Sequence, residues 1–114
     1  MQTTGGVNKE NRKHNRYRLE VPVIFWWWDA RHARHEGVGL TRVVSSHGAF
    51  VLTATPPPLK AKIGLKVFFP RVGGAGVPVR FHGEGKVVRV EGLKHPVARA
   101  GFAVAGRPFV VRRG

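Results

Sequence analysis

Short apolar runs, separated by glycine, proline and charged residues, extend along most of the chain. β-Branched and aromatic residues predominate in these runs. No window of helical length spaces its apolar residues for one helix face without an interrupting proline or glycine. The pattern therefore predicts an all-β chain. The predicted strands are 21–28, 37–44, 49–53, 63–69, 77–91, 97–105 and 109–112.

The segments between the predicted strands carry residues that favour turns and loops. Residues 29–36 are read as a charged hairpin loop, and the prolines at 56–58 cannot donate to a β-ladder. We expect the longest strand to bend at Gly83 and Gly85. Strands of this length and spacing favour a small antiparallel barrel or sandwich, because closure removes exposed edges. Residues 1–11 are predicted to be a flexible tail and 12–112 a single domain.

Three consecutive tryptophans end the first predicted strand. Because side chains alternate between the two faces of a strand, Trp27 shares a face with Val23 and Phe25, which we assign to the core. Trp26 and Trp28 then form an outer patch that a monomer rarely leaves bare. The alternatives are burial beneath another segment of the chain, contact with a subunit or partner, and stacking against a nucleobase.

Charge narrows the choice of partner. The 114 residues include 20 Lys and Arg against six Asp and Glu, a formal net charge of +14. The imbalance is +3 in residues 1–36, with seven basic and four acidic residues, and +11 in residues 37–114, with thirteen and two. This surplus favours a polyanionic partner, such as nucleic acid, a nucleotide or an anionic membrane.

The sequence also predicts the compartment. The longest apolar run, residues 21–28, contains Pro22 and is too short for a membrane-spanning helix. Residues 1–20 are polar and basic and contain no apolar segment typical of a secretory signal. The absence of cysteine excludes disulfides and thiol chemistry. We therefore expect a cytoplasmic protein without a transmembrane segment.

Side chains that would support catalysis are scattered. Of the six histidines only His32 and His35 lie close together in sequence, and neighbouring arginines would repel a metal ion. Ser46 precedes His47, but no nucleophile-elbow motif surrounds the pair. We predict no enzymatic activity, no catalytic residue and no metal site.

Two segments indicate binding instead. Arg12, Lys13, Arg16 and Arg18 form a basic stretch ahead of the first strand, and Arg12 and Arg16 would converge on one side of a turn. Paired guanidinium groups bind phosphate bidentately and can recognise the edge of guanine. Ser45 and Gly48 lie in a polar turn between two apolar strands, where glycine permits close backbone approach. Taken singly, the first segment is more typical of a solvated basic tail, and the second of an ordinary hairpin turn, than of a binding site.

Together these segments resemble the PilZ domain. The resemblance rests on R-x-x-x-R at residues 12–16, x-x-S-x-x-G-A-F at 43–50, and the later runs 85–90 and 101–102, and it covers roughly residues 10–105. It implies a six-stranded antiparallel barrel of split-barrel type, with a flexible basic N-terminal segment, that binds the bacterial second messenger cyclic di-GMP. It implies no cofactor beyond this ligand.

The resemblance also implies roles for individual residues. Arg12 and Arg16 would clamp the ligand, with Lys13 beside them, and Ser45 and Gly48 would form the opposing wall. The family motif begins with Asp or Asn, where this chain has Val43. Valine cannot accept a hydrogen bond, so one polar anchor is missing. Loss of such a pairing typically weakens binding by about ten- to a hundredfold.

Three functional hypotheses follow. In the first, cyclic di-GMP orders residues 8–18, which are loose in the free protein, and a protein partner reads the changed surface. In the second, a degenerate PilZ-like barrel no longer binds nucleotide and serves as a protein-interaction module, as Val43 and the patch of Trp26 and Trp28 favour. In the third, the basic barrel binds nucleic acid through phosphate contacts, with steep salt dependence.

Overall fold

The structure, a computed structural model, describes residues 16–70, 79–94 and 98–113. Within these ranges every regular element is a β-strand, as the sequence predicts. No helix in them has the length and hydropathy needed to cross a bilayer. The strands are β1 (Tyr17–Arg18), β2 (Pro22–Trp28), β3 (Arg34–Ser45), β4 (Gly48–Thr53), β5 (Lys62–Phe69), β6 (Val79–Gly92), β7 (Ala100–Gly106) and β8 (Val110–Arg113).

Six of these strands close into an antiparallel barrel. Their order is β3-β2-β5-β6-β7-β4, and β4 pairs again with β3. The two remaining strands add to its edges: β1 pairs with β3 beyond the end of β2, and β8 pairs with β6. The predicted six-stranded antiparallel barrel is confirmed.

Alternation along the strands fills the barrel with apolar side chains. Phe25 and Phe102 are fully buried and meet edge to face, with ring centroids 4.8 Å apart. In strands such as β2, the residues that alternate with the inward-facing ones are more exposed, whereas all six residues of β4 are buried. The buried interior cluster comprises Val21, Val23, Phe25, Ala49, Val51, Ile63, Leu65, Val67, Val87, Phe102 and Val104.

The tryptophans follow the predicted alternation. Trp27 packs against the edge of the core, half-buried, and stacks on His35 with ring centroids 4.9 Å apart. Trp26 and Trp28 lie on the outer face, where Trp28 is 50% exposed. Trp26 lies against the backbone of β5 at Gly64. The contact is so close that a Cβ at this glycine would come within 2.5 Å of the Trp26 ring.

The first hairpin loop is shorter than predicted. β3 begins at Arg34, so the connection is residues 29–33 rather than 29–36. The Asp29 Oδ1 accepts hydrogen bonds from the N–H groups of Arg31 and Ala33, at 2.8 and 3.0 Å, and His32 has a φ of 63°. These local bonds complete the turn and leave the following charged residues to pair with β2.

The long strand β6 has a register shift beyond Gly83 and Gly85, the two glycines at which a bend is predicted. Its register with β5 runs through Gly83 and Gly85 without a shift, and the irregularity lies between Val87 and Arg89. The glycines serve close packing instead. A Cβ would lie 2.1 Å from the Phe109 ring at Gly83, and 2.5 Å from a carbonyl oxygen of β7 at Gly85.

Candidate ligand-binding site

The N-terminal segment joins the barrel beside the predicted Ser-Gly turn. In β1, Tyr17 pairs with Val44 and Arg18 with Val43. The buried Thr41 fixes the link to β2, because its hydroxyl accepts from the Val21 N–H at 3.0 Å and donates to the carbonyl of Leu19. The structure thus differs from the expectation of a loose 8–18 segment at Tyr17 and Arg18. Residues 8–15, with the predicted site residues Arg12 and Lys13, lie outside the described residues.

Two β-bulges shape the outer surface next to β1. In β3, Thr41 pairs with Val51 and Val43 with Phe50, which leaves Arg42 as an extra residue. In β6, the register shifts in the same way around Val88. A bulge breaks the strict alternation of faces. Consequently two successive residues on each strand, including Arg42 and Arg89, lie on the outside of the barrel.

A row of aligned residues crosses five strands between these bulges. Arg18 pairs with Val43, Val43 with Phe50, Phe50 with Ala103, and Ala103 with Arg89. The row has an arginine at each end and three apolar side chains between them. Neighbouring strands lie about 4.8 Å apart, so the row spans about 19 Å. This length suits a ligand larger than a single phosphate.

A cavity of about 530 Å³ lies over this row. Its walls include Arg16, Arg18, Arg42 and Arg89, and we call these four residues with the apolar row the arginine surface. The guanidinium carbons of Arg42 and Arg89 lie 5.7 and 5.5 Å from the centre of the Phe50 ring. Such cation–π contacts hold guanidinium groups above an apolar floor.

The arginine surface is strongly cationic. Among the described residues that line the cavity, Glu91 is the single carboxylate, and its Oε2 lies 2.6 Å from Arg89 Nε. Both side chains are solvent-exposed, and exposed ion pairs contribute about 0–1 kcal/mol. An incoming anion therefore has to displace only the weakly bound Glu91 at Arg89. Among the described residues, no carboxylate pairs with Arg16, Arg18 or Arg42.

Ser45 and Gly48 line the same cavity, and each also has a role in the barrel. The Ser45 Oγ donates to the Gly48 carbonyl at 3.3 Å and accepts from the His47 N–H at 3.4 Å, which closes the turn. A Cβ at Gly48 would lie 2.2 Å from the backbone oxygen of Val104. The turn and the approach of β7 therefore account for a serine and a glycine at these positions without a ligand.

The predicted site residues that the structure describes are thus brought together: Arg16, Ser45 and Gly48 line one cavity. Sequence reasoning did not assign Arg18, Arg42, Phe50 or Arg89 to it. Arg18 belongs to the basic stretch before the first strand, and Phe50 ends the motif at residues 43–50, so the sequence did contain a signal for these two. Arg42 and Arg89 reach the cavity through bulges, which leave no mark in the hydrophobic pattern.

A second concave surface lies over β2, β5 and β6 and meets the first cavity at Ala105, which lines both. We call it the tryptophan groove; it has a volume of about 640 Å³ and is lined by Trp26, Trp28, Gly64 and several basic residues, including Lys62 and Lys86. The guanidinium carbon of Arg34 lies 5.3 Å from the Trp26 ring centre and 5.5 Å from that of Trp28. This arginine covers part of both rings.

Of the two closely spaced histidines, His35 is hydrogen-bonded to Asp29. His35 Nε2 is 2.8 Å from Asp29 Oδ2, and this hydrogen bond is the main reason that the pKa of Asp29 lies below its ordinary value. In the described ranges, no group of three or more His, Cys, Asp or Glu side chains is arranged to hold a metal ion.

Comparisons with protein-family models, curated proteins and solved structures give no match to this chain.

Proposed function

We propose that the barrel is a PilZ-like receptor that binds cyclic di-GMP on the arginine surface. The observation that supports this most is the pairing of β1 with β3. It puts the root of the basic N-terminal segment beside the strand that ends at Ser45, so that Arg16 and Arg18 face the Ser-Gly turn across one cavity. Two segments that were singled out independently in the sequence meet at that cavity.

The chemistry of the surface suits a nucleotide with two phosphates. Guanidinium groups bind phosphate oxygens bidentately, pair with the O6 and N7 edge of guanine, and stack on flat rings. Val43, Phe50 and Ala103 supply an apolar floor for a base. Arg12 and Lys13 precede Arg16 by four and three residues in the chain and would complete the clamp.

The proposed role is signalling, not chemistry. Bound phosphates offset the mutual repulsion of the arginines and draw the residues before Arg16 against the barrel. A protein partner in the cytoplasm would then read the altered surface. The missing acceptor at Val43 makes the affinity lower than a site with Asp or Asn at this position would have, by about ten- to a hundredfold.

Calorimetry with cyclic di-GMP tests the proposal. We expect saturable heat with the wild-type chain and at least about tenfold weaker binding by Arg16→Ala, because a charge-assisted hydrogen bond is lost. Arg31→Ala removes the same charge from the remote hairpin loop and should bind like wild type. Cyclic di-AMP, whose adenine lacks the O6 acceptor, should bind more weakly. No heat at high ligand concentration, or equal affinities of the two variants, would contradict the proposal.

The competing function is a protein-interaction module that does not bind nucleotide. It is favoured by Val43, by the structural roles of Ser45 and Gly48, and by the half-exposed Trp28 in its groove. In that case calorimetry gives no nucleotide signal, whereas capture of a partner from the native cytosol is abolished by Trp28→Ala and unaffected by Arg16→Ala.

A further inference from the structure

A second group of basic side chains lies on the outer face of β5, β6 and β8. Lys66 pairs with His82 across β5 and β6, and Arg80 pairs with Arg112 across β6 and β8. Leu65 and Val67, on either side of Lys66, point into the core, so Lys66 and its cross-strand partners face outward. We call Lys66, Arg80, His82 and Arg112 the basic cluster. None of them lines the arginine surface.

Two polar atoms of the basic cluster are buried without a partner among the residues that the structure describes. They are Arg80 Nε and His82 Nε2; neither is solvent-exposed, and neither has a hydrogen-bond partner within residues 16–70, 79–94 and 98–113. A buried polar group without a partner costs about 1–3 kcal/mol, and such groups are few in folded proteins. Residues 80 and 82 lie on the same face of β6, so the two unsatisfied atoms belong to one small region of the surface.

The cluster also lacks compensating charge. No ion pair among the described residues involves Lys66, Arg80 or Arg112. Glu84 lies on the same face of β6, opposite Gly64, and does not pair with the cluster. Burial is the main cause that lowers the pKa of His82, followed by the charges of Lys66, Arg112 and Arg80. The cations are thus close enough to His82 to act on its protonation.

We propose that the basic cluster is an anion site that binds a phosphate group. The oxygens of one phosphate accept several hydrogen bonds at once. Both side chains are only half-buried as a whole, so they can turn their buried nitrogen atoms outward. A single group would then satisfy Arg80 Nε and a protonated His82 Nε2 while offsetting the charges of Lys66 and Arg112. Three fixed cations and a titratable imidazole around two unpaired donors suit a compact dianion better than an extended base-containing ligand. This site is separate from the proposed nucleotide site and does not depend on it.

The position of His82 makes the proposed binding dependent on pH. The charged groups that face it are Lys66 on β5, Arg80 and Glu84 on β6, and Arg112 on β8. A bound dianion opposes the effect of the three cations and therefore raises the pKa of His82. By linkage, the anion binds more tightly as the pH falls and the imidazole becomes protonated.

Nuclear magnetic resonance of the His82 ring, with sulfate as the probe, tests the site in the whole chain. Sulfate keeps its charge across the range in which histidine titrates, so any pH dependence belongs to the protein. We expect saturable shifts of the His82 ring signals, a raised His82 pKa and tighter binding at acid pH. Arg80→Gln should weaken sulfate binding about tenfold. Arg31→Gln, with the same change in net charge, should leave it unchanged.

A second variant keeps the test valid if Arg80→Gln does not fold. Arg112 has an exposed side chain on the short strand β8, so Arg112→Gln should fold normally and also weaken binding. If sulfate leaves the His82 signals unmoved, or if all three variants bind it equally, the proposal is wrong.

Two further arms identify the source of the phosphate group. Vesicles of phosphatidylcholine with phosphatidylglycerol should bind, compared with phosphatidylcholine alone, if the natural ligand is a lipid headgroup, and excess sulfate should release them. Phenyl phosphate in solution should shift His82 without vesicle binding if the ligand is a free phosphate ester. Either result supports the site, and failure of both probes at His82 contradicts it.

Discussion

The arginine surface and the tryptophan groove both combine arginines with aromatic rings, but they are built in opposite ways. In the arginine surface two guanidinium groups lie over one phenyl ring, and the strands that carry them have bulges. In the tryptophan groove one guanidinium lies over two indoles, and β2 pairs with both neighbours without a register shift. In the arginine surface the guanidinium groups therefore outnumber the aromatic ring that they cover. In the tryptophan groove the aromatic rings outnumber the guanidinium group.

The difference shows how a barrel of regular strands acquires a charged recognition surface. In a regular strand, successive side chains point alternately into and out of the barrel. This alternation places Trp26 and Trp28 together on the outside, where they line the tryptophan groove. A bulge adds a second outward residue in succession, and in β3 that residue is Arg42. The arginine surface thus depends on local departures from the pattern that defines the fold.

The largest contrast should come from adding a methyl group at one glycine of each region. A Cβ at Gly48 meets the backbone oxygen of Val104 at 2.2 Å, whereas a Cβ at Gly64 meets the Trp26 ring at 2.5 Å. Backbone cannot move aside, but a half-buried indole can. Gly48→Ala should therefore lower the free energy of unfolding by about 1–3 kcal/mol or more. Gly64→Ala should lower it less and shift the tryptophan emission.

Urea unfolding followed by circular dichroism measures both variants. Equal losses of stability, or a larger loss for Gly64→Ala, would contradict the distinction between a backbone contact and a side-chain contact.

Replacing Val43 tests how the arginine surface determines the affinity for cyclic di-GMP. Val43→Asp puts a carboxylate between Arg18 and Phe50 in the aligned row, where it can orient an arginine and accept from guanine. We expect cyclic di-GMP to bind about tenfold more tightly, as measured by calorimetry. Val38→Asp, at an exposed valine of the same strand, is the matched control and should not change the affinity. Weaker binding by Val43→Asp would mean that the second motif is misaligned.

Removal of Arg34 tests the tryptophan groove with a smaller effect. Arg34→Ala loses the contacts with Trp26 and Trp28, each worth about 0.5–1 kcal/mol at an exposed site, and an exposed ion pair with Glu36. We expect unfolding free energy to fall by about 1 kcal/mol, with red-shifted tryptophan fluorescence and unchanged nucleotide binding. Unaltered emission would show that this arginine does not cover the indoles in solution.

The smallest expected effect concerns the turn that shortens the first hairpin loop. The hydrogen bond from His35 is the main cause of the lowered pKa of Asp29. A carboxyl with a lowered pKa contributes stability above its unfolded pKa, near 3.8, and loses it as the pH falls through the folded value. Asp29→Asn should therefore be slightly less stable than wild type at neutral pH. Urea unfolding over a pH series should show this difference vanish at acid pH, and a difference independent of pH would contradict the assignment.

Much of the fold could be predicted from the sequence, because inward residues such as Phe25, Leu65 and Phe102 recur with a period of two between glycine and proline breaks. The site could be predicted only where its residues belong to short sequence motifs, as Arg16, Ser45 and Gly48 do. Arg42 and Arg89 could not be found, because bulges and long-range register bring them to the cavity. The end of the first loop was missed because four backbone and side-chain hydrogen bonds of Asp29 within the turn, and not hydropathy, determine it.

A nuclear magnetic resonance titration can locate the nucleotide on the barrel. With cyclic di-GMP added to the uniformly labelled chain, we expect saturable amide shifts in the aligned row, at Arg18, Val43, Phe50, Ala103 and Arg89. We expect no shift at Gly64 or at the indole N–H groups of Trp26 and Trp28. Shifts confined to the tryptophan groove, or none at all, would contradict binding at the arginine surface.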